Sequence, residues 1–357
     1  MSHFEDGHLP EEYNSYVARK IFFLGVLVFA GGFFFVLAIS MGSVRIPAMD
    51  VVKVLLGMSA DARSEIIILN IRLPHALAAF LAGAGLASAG AAMQSILRNP
   101  LGSPFTLGIS QAGAFGAAFA VMILGSGVMQ STQTGAVTIA SPYLTTIVAF
   151  FFCMITSMII VAIARISGAT PEVMVLSGVA LGSLFGAGTM FLQYFADDVQ
   201  LAAMVFWTFG DVARAGWGEI RIMAVVVGLS VLFFIYNRWN YNAIDAGDET
   251  AKGLGVRVEL VRMIGMIVAS LVTATIVSFL GIIGFVGLIC PHIVRRIIGD
   301  DHRFMMPASC LTGGILLLAS DTVARLLLAP HVLPVSILTA FLGAPTFLYL
   351  LIKRRAR

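Results

Sequence analysis

Long apolar runs dominate the chain, and they are separated by short polar breaks. From Asn99 to Ala164 there is no Asp, Glu, Lys or Arg, and from Met263 to Val294 there is none either. A spanning helix needs roughly 20 apolar residues, so these runs alone hold several crossings. The pattern predicts ten membrane helices, at about 21–41, 72–97, 103–125, 143–165, 172–196, 219–237, 259–280, 282–298, 304–327 and 334–352. The eighth is expected to be short and irregular, because Gly281, Gly284 and Gly287 interrupt it. One stretch breaks the pattern. Asn237–Arg262, NRWNYNAIDAGDETAKGLGVRVELVR, is polar and charged between apolar neighbours.

Composition agrees with a membrane protein. The 357 residues are 59% hydrophobic and 11% charged, whereas globular domains run near 25% charged. The fold class expected is an all-α polytopic membrane protein, with a tail at 1–20 and a single transmembrane domain at 21–357. The net charge of +3 reports loop placement rather than nucleic-acid binding, and no nucleic-acid module is visible. With the N-terminus placed in the cytoplasm, most of the 22 Lys and Arg residues fall on cytoplasmic segments. The positive-inside rule therefore favours that orientation, and an even helix count puts both termini inside. Met1–Ala18 carries Glu5, Asp6, Glu11 and Glu12 and no basic leader region, so no signal peptide is expected. Cys153, Cys290 and Cys310 are isolated in apolar segments and read as packing residues.

No nucleotide-binding or hydrolytic motif occurs: GxxxxGK[ST], HExxH, CxxC and GxSxG are all absent. Asp321 is the one carboxylate expected inside a helix, with Arg325 one turn on, so a local ion pair is the default. So few titratable groups argue against a stand-alone proton-driven transporter. They argue equally against a membrane enzyme. Small residues crowd the helices. Gly178, Gly182 and Gly186 make two overlapping GxxxG steps, and Gly83, Gly90, Gly108, Gly113 and Gly116 add to them; such residues let helix backbones approach closely in lipid.

The polar stretch itself has shape. Ala243–Ala246 ends at Gly247; Asp248 and Glu249 open a second helical turn, where carboxylates complement the helix dipole; Gly253 and Gly255 end it. A floppy loop would need neither caps nor stops. The segment AIDAGDETAKGLGV, within 242–256, resembles the coupling segment of the FecCD-type ABC importer permeases for iron-siderophore, haem and vitamin B12. Four further segments resemble the same family in the same order: 71–94, 98–117, 281–303 and 333–351. The resemblance spans Ile71 to the C-terminus.

That resemblance implies a type II ABC importer permease, present as two copies around a pore in the cytoplasmic (inner) membrane. Its other implied partners are two ABC ATPase subunits, an extracytoplasmic substrate-binding protein and the lipid bilayer. It implies no cofactor on this chain, with ATP and Mg held by the ATPase. The ATPase-coupling residues would be Ala246, Gly247, Asp248, Glu249, Thr250, Ala251, Leu254 and Gly255. Binding-protein docking would use Arg72 and Arg325. The family's third docking arginine is His75 here, which would make that contact weaker or pH-dependent, since histidine is mostly neutral at pH 7. The cytoplasmic gate would lie at Gly168, Ala169, Thr170, Pro171 and Glu172. Met174, Met190, Phe191, Gln193 and Tyr194 would line the path, although a stripe of Met and aromatics also suits plain packing. The implied cargo is an iron chelate or cobalamin, with molybdate or another oxyanion as the alternative.

Overall fold

A computed structural model describes residues 11–42, 44–129, 137–139, 142–328 and 331–354. In chain order the helices are α1 Glu11–Ser40, α2 Ala48–Leu55, α3 Ala62–Ile67, α4 Leu73–Ile96, α5 Ile109–Met122, α6 Pro142–Ile166, α7 Pro171–Phe195, α8 Asp198–Thr208, α9 Trp217–Tyr236, α10 Arg238–Asp245, α11 Asp248–Gly253, α12 Val258–Leu280, α13 Val286–Ile298, α14 His302–Leu327 and α15 Val335–Arg354. A π turn at Ile68–Arg72 joins α3 to α4, and a 3-10 turn at Val212–Arg214 precedes α9. Strands β1 Gly127–Met129 and β2 Val137–Ile139 pair antiparallel, with Val128 opposite Thr138.

Each of the ten expected intervals contains a helix, but the helices differ in reach. Among the described residues seven are long and apolar enough to cross a membrane, and the α3–α4 unit is the longest of these, running from Ala62 to Ile96. α5 and α13 are shorter than expected, for local reasons. Ser103 and Thr106 bond each other's backbone and hydroxyl groups, with the Thr106 hydroxyl donating to the Ser103 carbonyl at 2.8 Å. Such side-chain bonds compete with the helix ladder, and Gly108 then turns left-handed at φ 76°, so α5 starts only at Ile109. At the head of α13, Gly281 and Phe285 are both at positive φ, which delays the helix to Val286. α1 begins at Glu11, well before the expected boundary at 21. α2, α3, α8 and the β1–β2 hairpin lie outside the expected elements.

α4 is the centre of the bundle. It packs against α9, α12, α13 and α14, and its residues from Ala76 to Ile96 are almost all buried. Its Ala, Gly and Ser residues permit this. A Cβ on Gly90 would strike the Gly287 carbonyl, and one on Gly83 would strike the Gly313 carbonyl, so α13 and α14 touch α4 backbone to backbone. Gly178 and Gly182 meet Leu107 and Gly108 in the same way, whereas Gly186 faces open space. α4 and α14 run antiparallel. Arg72 and Arg325 therefore share one end of the bundle, and Ile96 and His302 share the other.

Candidate functional site

The α10–α11 segment is a folded unit. Gly247 sits between the helices at φ 120°, a conformation L side chains rarely adopt, and so permits the sharp reversal. Asp248 and Glu249 occupy the first turn of α11, where the helix dipole favours them. Ala243, Ile244, Ala251 and Val258 form a small core beneath the two helices. Of the expected coupling residues, Ala246, Glu249, Thr250, Leu254 and Gly255 are exposed. Gly247 and Asp248 are half-buried and Ala251 is buried. A rigid base thus presents a mixed polar and apolar face.

Two partly buried networks hold that base. On the α10 side, the Asp245 carboxylate accepts from the Ser95 hydroxyl at 3.2 Å and meets His302 Nε2 at 2.9 Å. His302 is fully buried and also lies 2.8 Å from Ser95 Oγ. Asn242 binds the head of α14 twice: its Oδ1 accepts from the His302 backbone N–H at 2.8 Å, and its Nδ2 donates to Asp301 at 3.2 Å. Burial pushes the Asp301 carboxyl up, but hydrogen bonds from Arg303 and Asn242 outweigh this and hold its pKa below the ordinary value. Burial pushes the Tyr241 hydroxyl up.

On the α11 side the anchor is Arg262, in the first turns of α12. It lies beyond the expected coupling residues, is 2% exposed and spans three elements. Its Nε donates to the Ile96 carbonyl at the end of α4 (2.6 Å), its Nη1 to the Ala169 carbonyl (3.0 Å), and its Nη2 to both oxygens of Asp248 (3.1 Å each). Sequence reasoning missed this residue.

The expected gate residues lie against this junction. Gly168 is at φ 83° and Ala169, buried, at φ 52°. Thr170 caps α7 by accepting from the Val173 N–H at 3.4 Å. Thr170, Pro171 and Glu172 line a polar cavity of about 440 Å³ together with Arg98, Asp248, Lys252 and Arg262. The expected coupling and gate residues, far apart in sequence, therefore meet at one end of the bundle.

The expected docking residues cluster at the other end. Arg325 lies within electrostatic range of both Arg72 and His75. The expected Asp321–Arg325 ion pair is present at 2.9 Å, and Arg325 also reaches the Ala38 carbonyl. Arg72, however, faces inward. It is 5% exposed, and its guanidinium donates to the carbonyls of Ile39, Ser40 and Val44. It ties the connection between α1 and α2 to α4. His75 is half-buried. Among the expected path residues, Met174 is wholly buried in the main core, while Met190, Phe191 and Tyr194 are exposed and Gln193 is half-buried.

The FecCD transport family matches residues 28–353. The chain belongs to that family. It is 54% identical over 349 residues to an ABC transporter permease protein of Methanocaldococcus jannaschii, covering 98% of this chain and 99% of the relative. It is 40% identical over 297 residues to the cobalamin import system permease protein of Halobacterium salinarum, covering 82% and 75%. A solved structure of an inward-facing metal-chelate type ABC transporter superposes with a TM-score of 0.79 at 28% identity, covering 94% of this chain and 99% of that one. The FecCD chain described here is thus a multi-pass ABC permease, a transport subunit whose family works with separate ATPases.

Proposed function

We propose that this chain is the transmembrane subunit of an ATP-driven importer that carries an iron chelate, such as a siderophore or haem, or cobalamin. The observation that carries the reading is the α10–α11 unit, rigid at its base and exposed at Ala246, Glu249, Thr250, Leu254 and Gly255. A shaped, anchored element can pass a push from a docked ATPase into the bundle, where a loose loop would absorb it. The metal-chelate and cobalamin proteins it resembles support the cargo class.

In this reading two copies enclose the pore, and α7 is the wall between them. Its apolar face, with Leu176, Leu184, Met190, Phe191 and Tyr194 exposed, lacks cover within one chain. Two ATPase subunits bind and hydrolyse ATP with Mg at the α10–α11 end, which lies in the cytoplasm with both termini. A binding protein delivers cargo at the end that holds His75 and Arg325. The cycle is alternating access in the cytoplasmic membrane, with release past Thr170. The test is uptake of labelled ferric siderophore, haem and cobalamin by the complex reconstituted with its ATPase and binding protein. Accumulation of one of them is expected; accumulation of molybdate alone would overturn the cargo class.

A further inference from the structure

We infer that Arg262 is the positioning residue that carries movement of α11 to the gate turn Gly168–Thr170; this rests on the coupling role proposed above. The Arg262 guanidinium is planar and rigid, so its nitrogens cannot follow separate partners in separate directions. Here they hold Asp248 at the head of α11, the Ala169 carbonyl in the turn and the Ile96 carbonyl at the end of α4. The side chain is almost wholly buried. A buried charge stripped of its partner is costly, so Asp248 cannot withdraw alone. When α11 shifts, Arg262 moves with it or the pair separates, and moving together is the less costly course. The second salt bridge to Asp248, from Arg98 at 4.0 Å, is longer and far more exposed.

The receiving end is built to respond. Ala169 is a non-glycine residue at φ 52°, a sparsely populated conformation that persists only where surrounding contacts impose it. Its carbonyl is one of those contacts. Gly168 before it is also left-handed, and Thr170 after it caps α7. A change in the Ala169 carbonyl therefore reaches the first turn of α7 within one residue. The polar cavity beside the junction leaves room for that movement.

The test uses the full complex with its ATPase, in a background in which the three native cysteines are alanine. Spin labels are placed as pairs against Met49, an exposed residue of α2: Met49→Cys with Leu254→Cys reports the coupling segment, and Met49→Cys with Glu172→Cys reports the gate. Distances are compared without nucleotide and after trapping ATP with vanadate. With Arg262 intact, both distances change. With Arg262→Gln, the coupling distance still changes and the gate change is lost. Arg262→Lys, which keeps the charge but not the fork, restores part of it. Asp248→Ala cuts the same link from the half-exposed end, leaves the two buried carbonyl bonds of Arg262 in place, and is expected to lose the gate change too; it decides the matter if Arg262→Gln does not fold. A full gate change in Arg262→Gln or Asp248→Ala overturns the inference. No coupling-segment change with Arg262 and Asp248 both intact overturns the coupling reading instead. A residue with only a structural role would alter both distances together.

Discussion

Arg72 and Arg262 sit at opposite ends of α4, both buried, both holding carbonyls from distant parts of the chain. Arg72→Ala would remove its bonds to the carbonyls of Ile39, Ser40 and Val44, of which Ser40 keeps the Ile46 N–H, and each hydrogen bond to a charged group contributes about 1.5–3 kcal/mol. Thermal unfolding in detergent should show a loss of about 3 kcal/mol; an unchanged unfolding curve would contradict the geometry. Any loss of binding-protein affinity in such a variant has to be separated from loss of fold. Glu249 is the opposite case. Its side chain is 90% exposed and, among the described residues, pairs with Lys252 alone, a surface contact worth no more than about 1 kcal/mol. Glu249→Arg should therefore leave the unfolding curve in place and abolish ATP-driven uptake, and normal uptake would move the grip elsewhere. Asp301 gives a pH prediction. Its folded pKa is depressed, so its contribution is fully present above the unfolded value of about 4 and is lost as pH falls through the lower folded value. Asp301→Asn should flatten the acid side of the stability profile, and an unaltered profile would refute the assignment. The two short helices of the polar stretch were legible in sequence because first-turn carboxylates and glycine stops are local signals. Arg262 was not, because two of its partners lie 166 and 93 residues away.

At the scale of elements, close packing depends on backbone contact at particular glycines. A methyl group at Gly90 would overlap the Gly287 carbonyl, and nothing there can rotate aside. Gly90→Ala should destabilise the fold by about 1–3 kcal/mol, read as earlier loss of monodispersity on heating. Gly186→Ala, facing open space, is the neutral control. Apolar runs located every long helix because length and composition alone mark a spanning segment. They could not locate α8, which at 11 residues is too short to span, although Asp197 and Gln200 form a capping box that marks its start. Nor could they show that Ser103, Thr106 and Gly108 hold back the head of α5, since that depends on which hydroxyl finds which carbonyl.

The whole molecule joins two ends through one buried helix. α4 is surrounded, while α7 leaves most of its length uncovered: 83% of the hydrophobic window ending in α4 is buried within the chain, against 17% for α7. This asymmetry is what a wall against lipid or a second copy requires, and it gives the two-copy reading a physical basis. The sequence resemblance implied this arrangement, whereas hydropathy alone could not distinguish a surrounded helix from an exposed one. In the proposed cycle, work enters through α10–α11 from an ATPase on a separate chain. Proteoliposomes containing the permease and a loaded binding protein, with and without the ATPase and ATP, put this to the test. Cargo should accumulate only when ATPase and ATP are both present; accumulation driven by an ion gradient across vesicles lacking the ATPase would rule the proposal out.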